Sequence, residues 1–339
     1  MGGLFIGECN KLRILFLTDT HIRGNTPKNR TDDLPETLER KFNEIIKIVH
    51  DYNVDFLLHG GDLFDRPDVS ISIMSKFAPI LNKIEVPIYI ICGNHDIFGH
   101  NPHTVNRTML GLLDALDIIK IINPGEKIYL EKNNLKVQLT GYPYTYNIDR
   151  EYDKSPYIVN EVSSDVDYAI HMVHGMLLNK PFIKGIPYTL VDDIKNTKAN
   201  ITLVGHYHSG FEIINIDNKY FVNPGSLIRI TNSLIEIDRT PKVALIDLEK
   251  NIHIDLLELK TAAKGEDVLD RSEIENHIFK SEKLFEFKQS IDTAMNFEKL
   301  EINDILIEVS NAKNVSEEVK REALRRIANS QMKDLGGGL

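Results

Sequence analysis

Five short segments of this 339-residue chain carry the side chains that bind metal ions or move protons. They are Asp19-Thr20-His21, Gly60-Gly61-Asp62, Gly93-Asn94-His95-Asp96, His174-Gly175 and Gly205-His206-Tyr207-His208. Carboxylate, imidazole and amide oxygen form a mixed nitrogen and oxygen donor set without sulfur. Such a set suits Mn²⁺, Fe²⁺ or Zn²⁺ and disfavours a thiolate zinc site. In extended backbone, residues i and i+2 point the same way, so Asp19 and His21 can share one ion and His206 and His208 can face one cluster. Glycines at 60, 61, 93 and 205 let the chain turn tightly under the donors. A divalent ion on such donors can activate a water as a nucleophile. A nearby imidazole can then give or take a proton. One Asp-x-His or one histidine is a weak signal; five such segments in order are a strong one.

Each segment follows an apolar run. Arg13–Thr18, Val54–His59, Pro87–Cys92, Tyr168–Val173 and Ile201–Val204 read as strands, the first as one buried on both faces. In open α/β architectures ligands collect outside the carboxyl ends of the strands, and every candidate donor here lies at such an end. Helices are expected over Glu36–Tyr52, Ser70–Asn82 and Thr104–Leu116, the first with Leu38, Phe42, Ile45, Ile46 and Val49 on one face. Further strands are expected at Lys127–Leu130, Leu135–Thr140 and Tyr220–Val222, with a hairpin of Val243–Leu248 and Ile252–Leu257. This alternation predicts an α/β protein: a two-sheet β-sandwich flanked by helices, occupying residues 11–259. A linker at Ala262–Asp267 leads to a small C-terminal α+β cap or partner-binding domain over 260–335. Its expected elements are a helix at Glu273–Met295, a strand at Asp304–Val309 and a helix at Ser316–Met332. Lys320, Arg321, Arg325 and Arg326 lie around the last of these.

The composition is that of an ordinary globular protein, with 42% hydrophobic and 27% charged residues. No apolar run approaches the roughly 20 residues of a membrane helix, and no secretory leader is evident, so a cytoplasmic location is expected. Two cysteines, Cys9 and Cys92, exclude a disulfide framework, and Cys92 reads as a buried thiol. A net charge of −10 argues against non-specific coating of nucleic acid, though not against a nuclease with local basic patches. His59 and His171 read as buried, satisfied histidines, and His100 and His103 as loop residues.

The five segments resemble the signature of the calcineurin-like metallophosphoesterases: Asp-x-His, Gly-Asp, Gly-Asn-His-Asp/Glu, a lone His and Gly-His-x-His. The resemblance covers roughly residues 11–258. It implies one ion on Asp19, His21 and His208, a second on Asn94, His174 and His206, and Asp62 as the bridge. It also implies that His95 binds no metal but serves the leaving oxygen, with Asp96 as its orienting partner. Within the superfamily, Gly61-Asp62-Leu63-Phe64-Asp65-Arg66-Pro67 is similar to the SbcD-type exonucleases, nuclease subunits of SbcCD-like DNA-repair complexes. That similarity implies two divalent ions, Mn²⁺ first and Fe, Zn or Mg as alternatives, with DNA as substrate and an SMC-like ATPase as partner; a homodimer is left open. Asn223-Pro224-Gly225-Ser226 also occurs in small-molecule phosphodiesterases of the superfamily, so a phosphodiesterase or phosphatase acting on a small molecule or nucleotide is the alternative.

Overall fold

The computed structural model describes residues 11–150 and 154–272, and beyond them 274–275, 280–281, 283, 316, 318–323 and 325–326. The chain divides into two compact units, Met1–Leu269 and Asp270–Leu339.

The first unit is built on two mixed sheets of six strands. In one sheet β1 (Leu12–Leu17), β2 (Phe56–His59), β3 (Ile88–Ile90) and β4 (Lys120–Ile121) run parallel. The antiparallel hairpin of β13 (Lys242–Leu248) and β14 (Ile252–Glu258) extends it beyond β1. In the other, β6 (Leu135–Tyr142), β7 (Tyr168–Gly175), β10 (Ile201–His206) and β12 (Lys219–Asn223) are parallel. Antiparallel β5 (Lys127–Lys132) and β11 (Phe211–Ile216) close its two edges. A small pair, β8 (Leu177–Leu178) and β9 (Thr189–Leu190), follows β7.

Strand periodicity builds the layers. On β1, Ile14 and Phe16 point between the sheets, where they meet Ile170 and Met172 of β7 and Ile201 and Leu203 of β10. Leu15 and Leu17 point the other way, against α1 (Leu34–Asp51), α2 (Ile71–Asn82) and α3 (Met109–Ala115). On the far side, Val173, Val204 and Phe221 are covered by Tyr157 and by Val191 and Ile194 of α4 (Val191–Ile194). Short α5 (Leu234–Asp238) and α6 (Gly265–Val268) complete the helices of this unit.

Most of the expected elements of the sandwich are present, with two differences. The expected helix Thr104–Leu116 is broken at Thr108, whose extended backbone ends a 3₁₀ helix at Pro102–Arg107. Its hydroxyl then caps α3 by accepting from Gly111 N at 3.2 Å. Strand β11 was not expected; it pairs with β12 through Asp217 and Asn218, both with positive φ, the two-residue turn that matches strand twist. Leu269 ends the first compact unit, so residues 260–269 lie within it. Residues 260–269 are fastened to α1 and the segment before it: Lys260 N, Thr261 N and Thr261 Oγ1 donate to the Glu44 carboxylate, and Thr31 N donates to Val268 O.

Of the second unit, residues 318–323 and 325–326 are helical, and Arg325 and Arg326 both pair with Glu322. The expected strand Asp304–Val309 and most of the two expected helices lie outside the described residues. Among the described residues no helix is long and apolar enough to cross a membrane.

Candidate metal centre

The parallel strands β1, β2 and β3 of one sheet and β7 and β10 of the other deliver the five segments to a common rim. The loops after β1 and β2 continue to pair beyond their strands: Asp19 N donates to Gly61 O, His21 N to Asp62 O and Ile22 N to Leu63 O, at 2.8–3.0 Å. This pairing is not extended. Asp19, His21, Asp62 and His206 have φ values of 51°, 43°, 54° and 84°, the left-handed region that ordinary residues seldom occupy. The i, i+2 convergence expected of Asp19 and His21 therefore comes from paired left-handed turns, not from strand geometry. Strain of this kind persists only where the surroundings over-determine it, and it clusters at functional sites. Gly93 is demanded by close approach: a Cβ there would collide with the Asp62 carboxylate.

Three groups of donors form among the described residues; one is His21, Asp65 and His95, and the other two share Asp62. Asp19, His21, Asp62 and His208 bring one ligand atom each within 4.8 Å of one another, and so do Asp62, His174 and His206. Asp62 belongs to both. Asn94 Oδ1 lies 3.2 Å from His174 Nε2, beside the second group. His206 lies in the group of His174, and His208 in that of Asp19.

The hydrogen bonds orient the donors. His174 Nδ1 donates to the Gly60 carbonyl at 2.7 Å, which turns Nε2 toward Asp62 Oδ2, 3.3 Å away. Asp62 Oδ1 accepts from His95 N at 2.7 Å, whereas buried Oδ2 accepts no well-formed hydrogen bond. Nε2 of His21 lies 3.1 Å from Nε2 of His208, and both nitrogens lie within 4 Å of Asp19 Oδ1. The Asp19 carboxylate accepts from Thr18 Oγ1 at 2.7 Å and from His206 N at 3.0 Å.

Electrostatics follow from burial. Burial opposes the charge on Asp19 and Asp62, yet the histidines around them hold both carboxylates below their usual range. Burial lowers His21 to about 3 and His206 to about 4, so both are neutral donors. His174 goes the other way. Burial opposes its charge, but the Asp62 and Asp19 carboxylates and the Gly60 carbonyl raise it to about 9. The carboxylates that raise His174 are the ones a divalent cation would satisfy. Asp19, His21 and His174 are 0% exposed and Asp62 1%, so bulk water does not satisfy these atoms. The unbonded Asp62 Oδ2, the adjacent imidazole nitrogens and the nitrogen and oxygen donor set all fit divalent cations.

His95 and Asp96 do not form the pair that was expected. The Nδ1 hydrogen of His95 goes to the Asp65 carbonyl at 2.8 Å, because a carbonyl can only accept. The Asp96 carboxylate instead accepts from Gly93 N at 2.9 Å, Phe64 N at 3.0 Å and Leu63 N at 3.3 Å. It ties the loop after β2 to the loop after β3. Burial, then repulsion from Asp62, lifts it to about 7. His95 lines a cavity of about 490 Å³ with Asn94, Asp65, Arg66, Phe98 and His100. His59 and His171 are buried and bonded, as expected. Tyr144 is a site residue that sequence reasoning missed: its ring centroid is 5.5 Å from those of His206 and His100. The available signal was its position just past β6, the neighbour of β7.

The DNA double-strand break repair protein Mre11 of Saccharolobus solfataricus is 28% identical over 144 residues, 41% of this chain and 35% of that protein. The Mre11 of Methanococcus maripaludis is 31% identical over 223 residues, 63% of this chain and 57% of that one. The chain therefore spans about a third to a half or so of these relatives' length. The crystal structure of the calcineurin-like phosphoesterase YfkN from Bacillus subtilis superposes with a TM-score of 0.44 at 14% identity, over 76% of this chain and 94% of that one. The family described as calcineurin-like phosphoesterase matches residues 12–210. That match runs past the last histidine of the centre and across more than half of the chain: this protein belongs to the calcineurin-like phosphoesterases.

Proposed function

We propose that this metal-dependent phosphoesterase is a two-metal phosphodiester hydrolase, a Mn²⁺-dependent DNA exo- or endonuclease that works with an SMC-like ATPase. The observation that carries the reading is Asp62, shared by two donor groups with Oδ2 unbonded in a buried site. In this reading Asp19, His21 and His208 hold one ion, Asn94, His174 and His206 the other, and Asp62 bridges them. The ions would acidify a water and neutralise charge on the phosphoryl oxygens. The chain's own residues do the rest. Gly60 and Asp65 carbonyls fix the tautomers of His174 and His95. Nε2 of His95 is left to deliver a proton to the leaving oxygen, beside the cavity it lines. Asp96 acts through backbone, holding the loops of Asp62 and Asn94 together.

DNA as the substrate is supported by the relatives, which are DNA double-strand break repair proteins, and by the Gly61–Pro67 segment. The test is direct. Purified chain with Mn²⁺ is incubated with single- and double-stranded DNA beside bis-p-nitrophenyl phosphate. Cleavage of DNA that chelation abolishes supports the nuclease. Hydrolysis of the small diester alone moves the substrate to a small molecule or nucleotide.

A further inference from the structure

The segment after β12, residues 223–230, supplies no donor to either group that contains Asp62, yet it grips the backbone of the first. Ser226 N donates to the His208 carbonyl at 2.8 Å and Leu227 N to the Thr18 carbonyl at 3.2 Å. The Ser226 hydroxyl lies between the carbonyls of Asp19, at 2.8 Å, and Ile228, at 2.7 Å. The segment is therefore a strut joining the loop after β1 to the loop after β10.

Its other edge ends almost wholly on cations. Ser226 O accepts from Arg239 Nη1 at 2.7 Å, Leu227 O from Lys41 Nζ at 2.6 Å, Ile228 O from Arg239 Nη2 at 2.5 Å and Arg229 O from Arg30 Nη1 at 2.6 Å. Asn29 Nδ2 takes the next carbonyl, Ile230 O, at 2.9 Å. Five consecutive carbonyls thus meet side-chain donors instead of a neighbouring strand. Arg30 pairs with Asp32 and Arg239 with Glu236 in this space.

Lys41 stands out within the set. It rises from α1, is 3% exposed, and among the described residues its ammonium pairs with no carboxylate. Burial, Arg239, Arg229 and Arg30 all push its pKa well below the ordinary lysine value. Burying an ammonium without a carboxylate partner costs folding free energy, offset in part by its bond to the Leu227 carbonyl. That bond falls at the middle of the strut.

We propose that Lys41 is a positioning residue: through the Leu227 carbonyl it holds the strut that sets Asp19 against His208, and so shapes one metal site more than the other. This rests on the two-metal reading above. Asn94, His174 and His206 take no bond from the backbone of residues 226–230; the second site is tied to the strut more loosely, through His206 N on the Asp19 carboxylate and the Asn223 amide on Tyr207 O.

The test is calorimetric titration of the chelator-stripped full chain with Mn²⁺, comparing wild type, Lys41→Met and Lys41→Arg. His208→Ala serves to identify which binding event belongs to the first site. Groups that orient ligands typically contribute about 10- to 100-fold in metal affinity. Lys41→Met is expected to weaken the event lost in His208→Ala by about tenfold. The other event should stay within about twofold, and Lys41→Arg, which can still donate to the carbonyl, should recover most of the loss. Unchanged binding at both sites, or equal weakening of both, overturns the proposal. If Lys41→Met does not fold, Ser226→Ala must weaken the same single event, and wild-type titration by that variant overturns it. A wild-type chain that binds no Mn²⁺ removes the two-metal reading itself, a failure visible before any variant is compared.

Discussion

His95 and Asp62 sit 2.7 Å apart through one backbone hydrogen bond, yet they should fail in different ways when replaced. The Asp65 carbonyl holds the Nδ1 hydrogen of His95, leaving Nε2 for a leaving oxygen. His95→Ala should keep both metal equivalents and lose about 10²- to 10⁴-fold in activity on diesters with alkoxide leaving groups, the usual worth of a general acid. Loss on bis-p-nitrophenyl phosphate should be far smaller, because p-nitrophenolate needs little protonation. Equal losses on both substrates, or loss of metal, would contradict the role. Asp62 is the opposite case. Its carboxylate stands in two donor groups, while His208 stands in one. Metal analysis of Asp62→Asn should find both equivalents depleted and that of His208→Ala only one; two full equivalents in Asp62→Asn would sink the bridging assignment.

At the scale of elements, the sandwich was legible because its strands are short apolar runs with donors at their ends, a pattern that burial on both faces imposes. Strand β11 was not, because Phe211-Glu212-Ile213-Ile214-Asn215-Ile216 is half-exposed at a sheet edge; its signal was the Asp217-Asn218 turn. The five donor segments could be read from residue type and their grouping was implied by the family resemblance, but the backbone that converges them could not be read. Left-handed turns at Asp19, His21 and Asp62 redirect side chains in a way that strand periodicity does not describe. The partner of His95 was hidden for a related reason, since a backbone carbonyl has no sequence signature. Buried His171 on β7 was legible as core, and it carries a prediction of its own. Its Nε2 donates to the Pro156 carbonyl at 2.9 Å and its Nδ1 meets Thr140 Oγ1 at 2.8 Å, an arrangement that serves the neutral ring. Burial lowers its pKa below 6.5. Below pH 6.5 the unfolded chain therefore binds a proton that the folded chain refuses, and stability falls as pH falls. His171→Asn should cost about 1–3 kcal/mol at pH 7.5, from a buried partner left unsatisfied. It should also flatten the loss of stability between pH 6.5 and 5, measured by denaturant unfolding of chelated protein. A parallel acid limb in variant and wild type would show that His171 does not contribute to it.

For the whole molecule, the question is what residues beyond Leu269 add to a centre that is complete by His208. The chain carries 40 basic against 50 acidic residues, so a DNA substrate must be met by local positive charge. Lys320, Arg321, Arg325 and Arg326 are one such source, but Glu322 pairs with the last two, which reduces the field they offer. Docking a partner subunit is the competing use of a terminal helix. The cut that separates these belongs after Leu269, because residues 260–269 are fastened to α1 through Glu44 and removing them would disturb the first unit. Chain ending at Leu269 should bind the same metal equivalents and hydrolyse bis-p-nitrophenyl phosphate with Mn²⁺ as the full chain does. On oligonucleotides it should lose most activity, and the residual binding should depend less steeply on salt, since phosphate contacts release counterions. The comparison uses the isolated chain, so no partner can mask the difference. If the shortened protein degrades DNA as well as the full chain, the second unit is not a substrate cap and its basic helix is assigned to partner binding. If neither form cleaves DNA while both hydrolyse the small diester, the substrate is a small molecule or nucleotide.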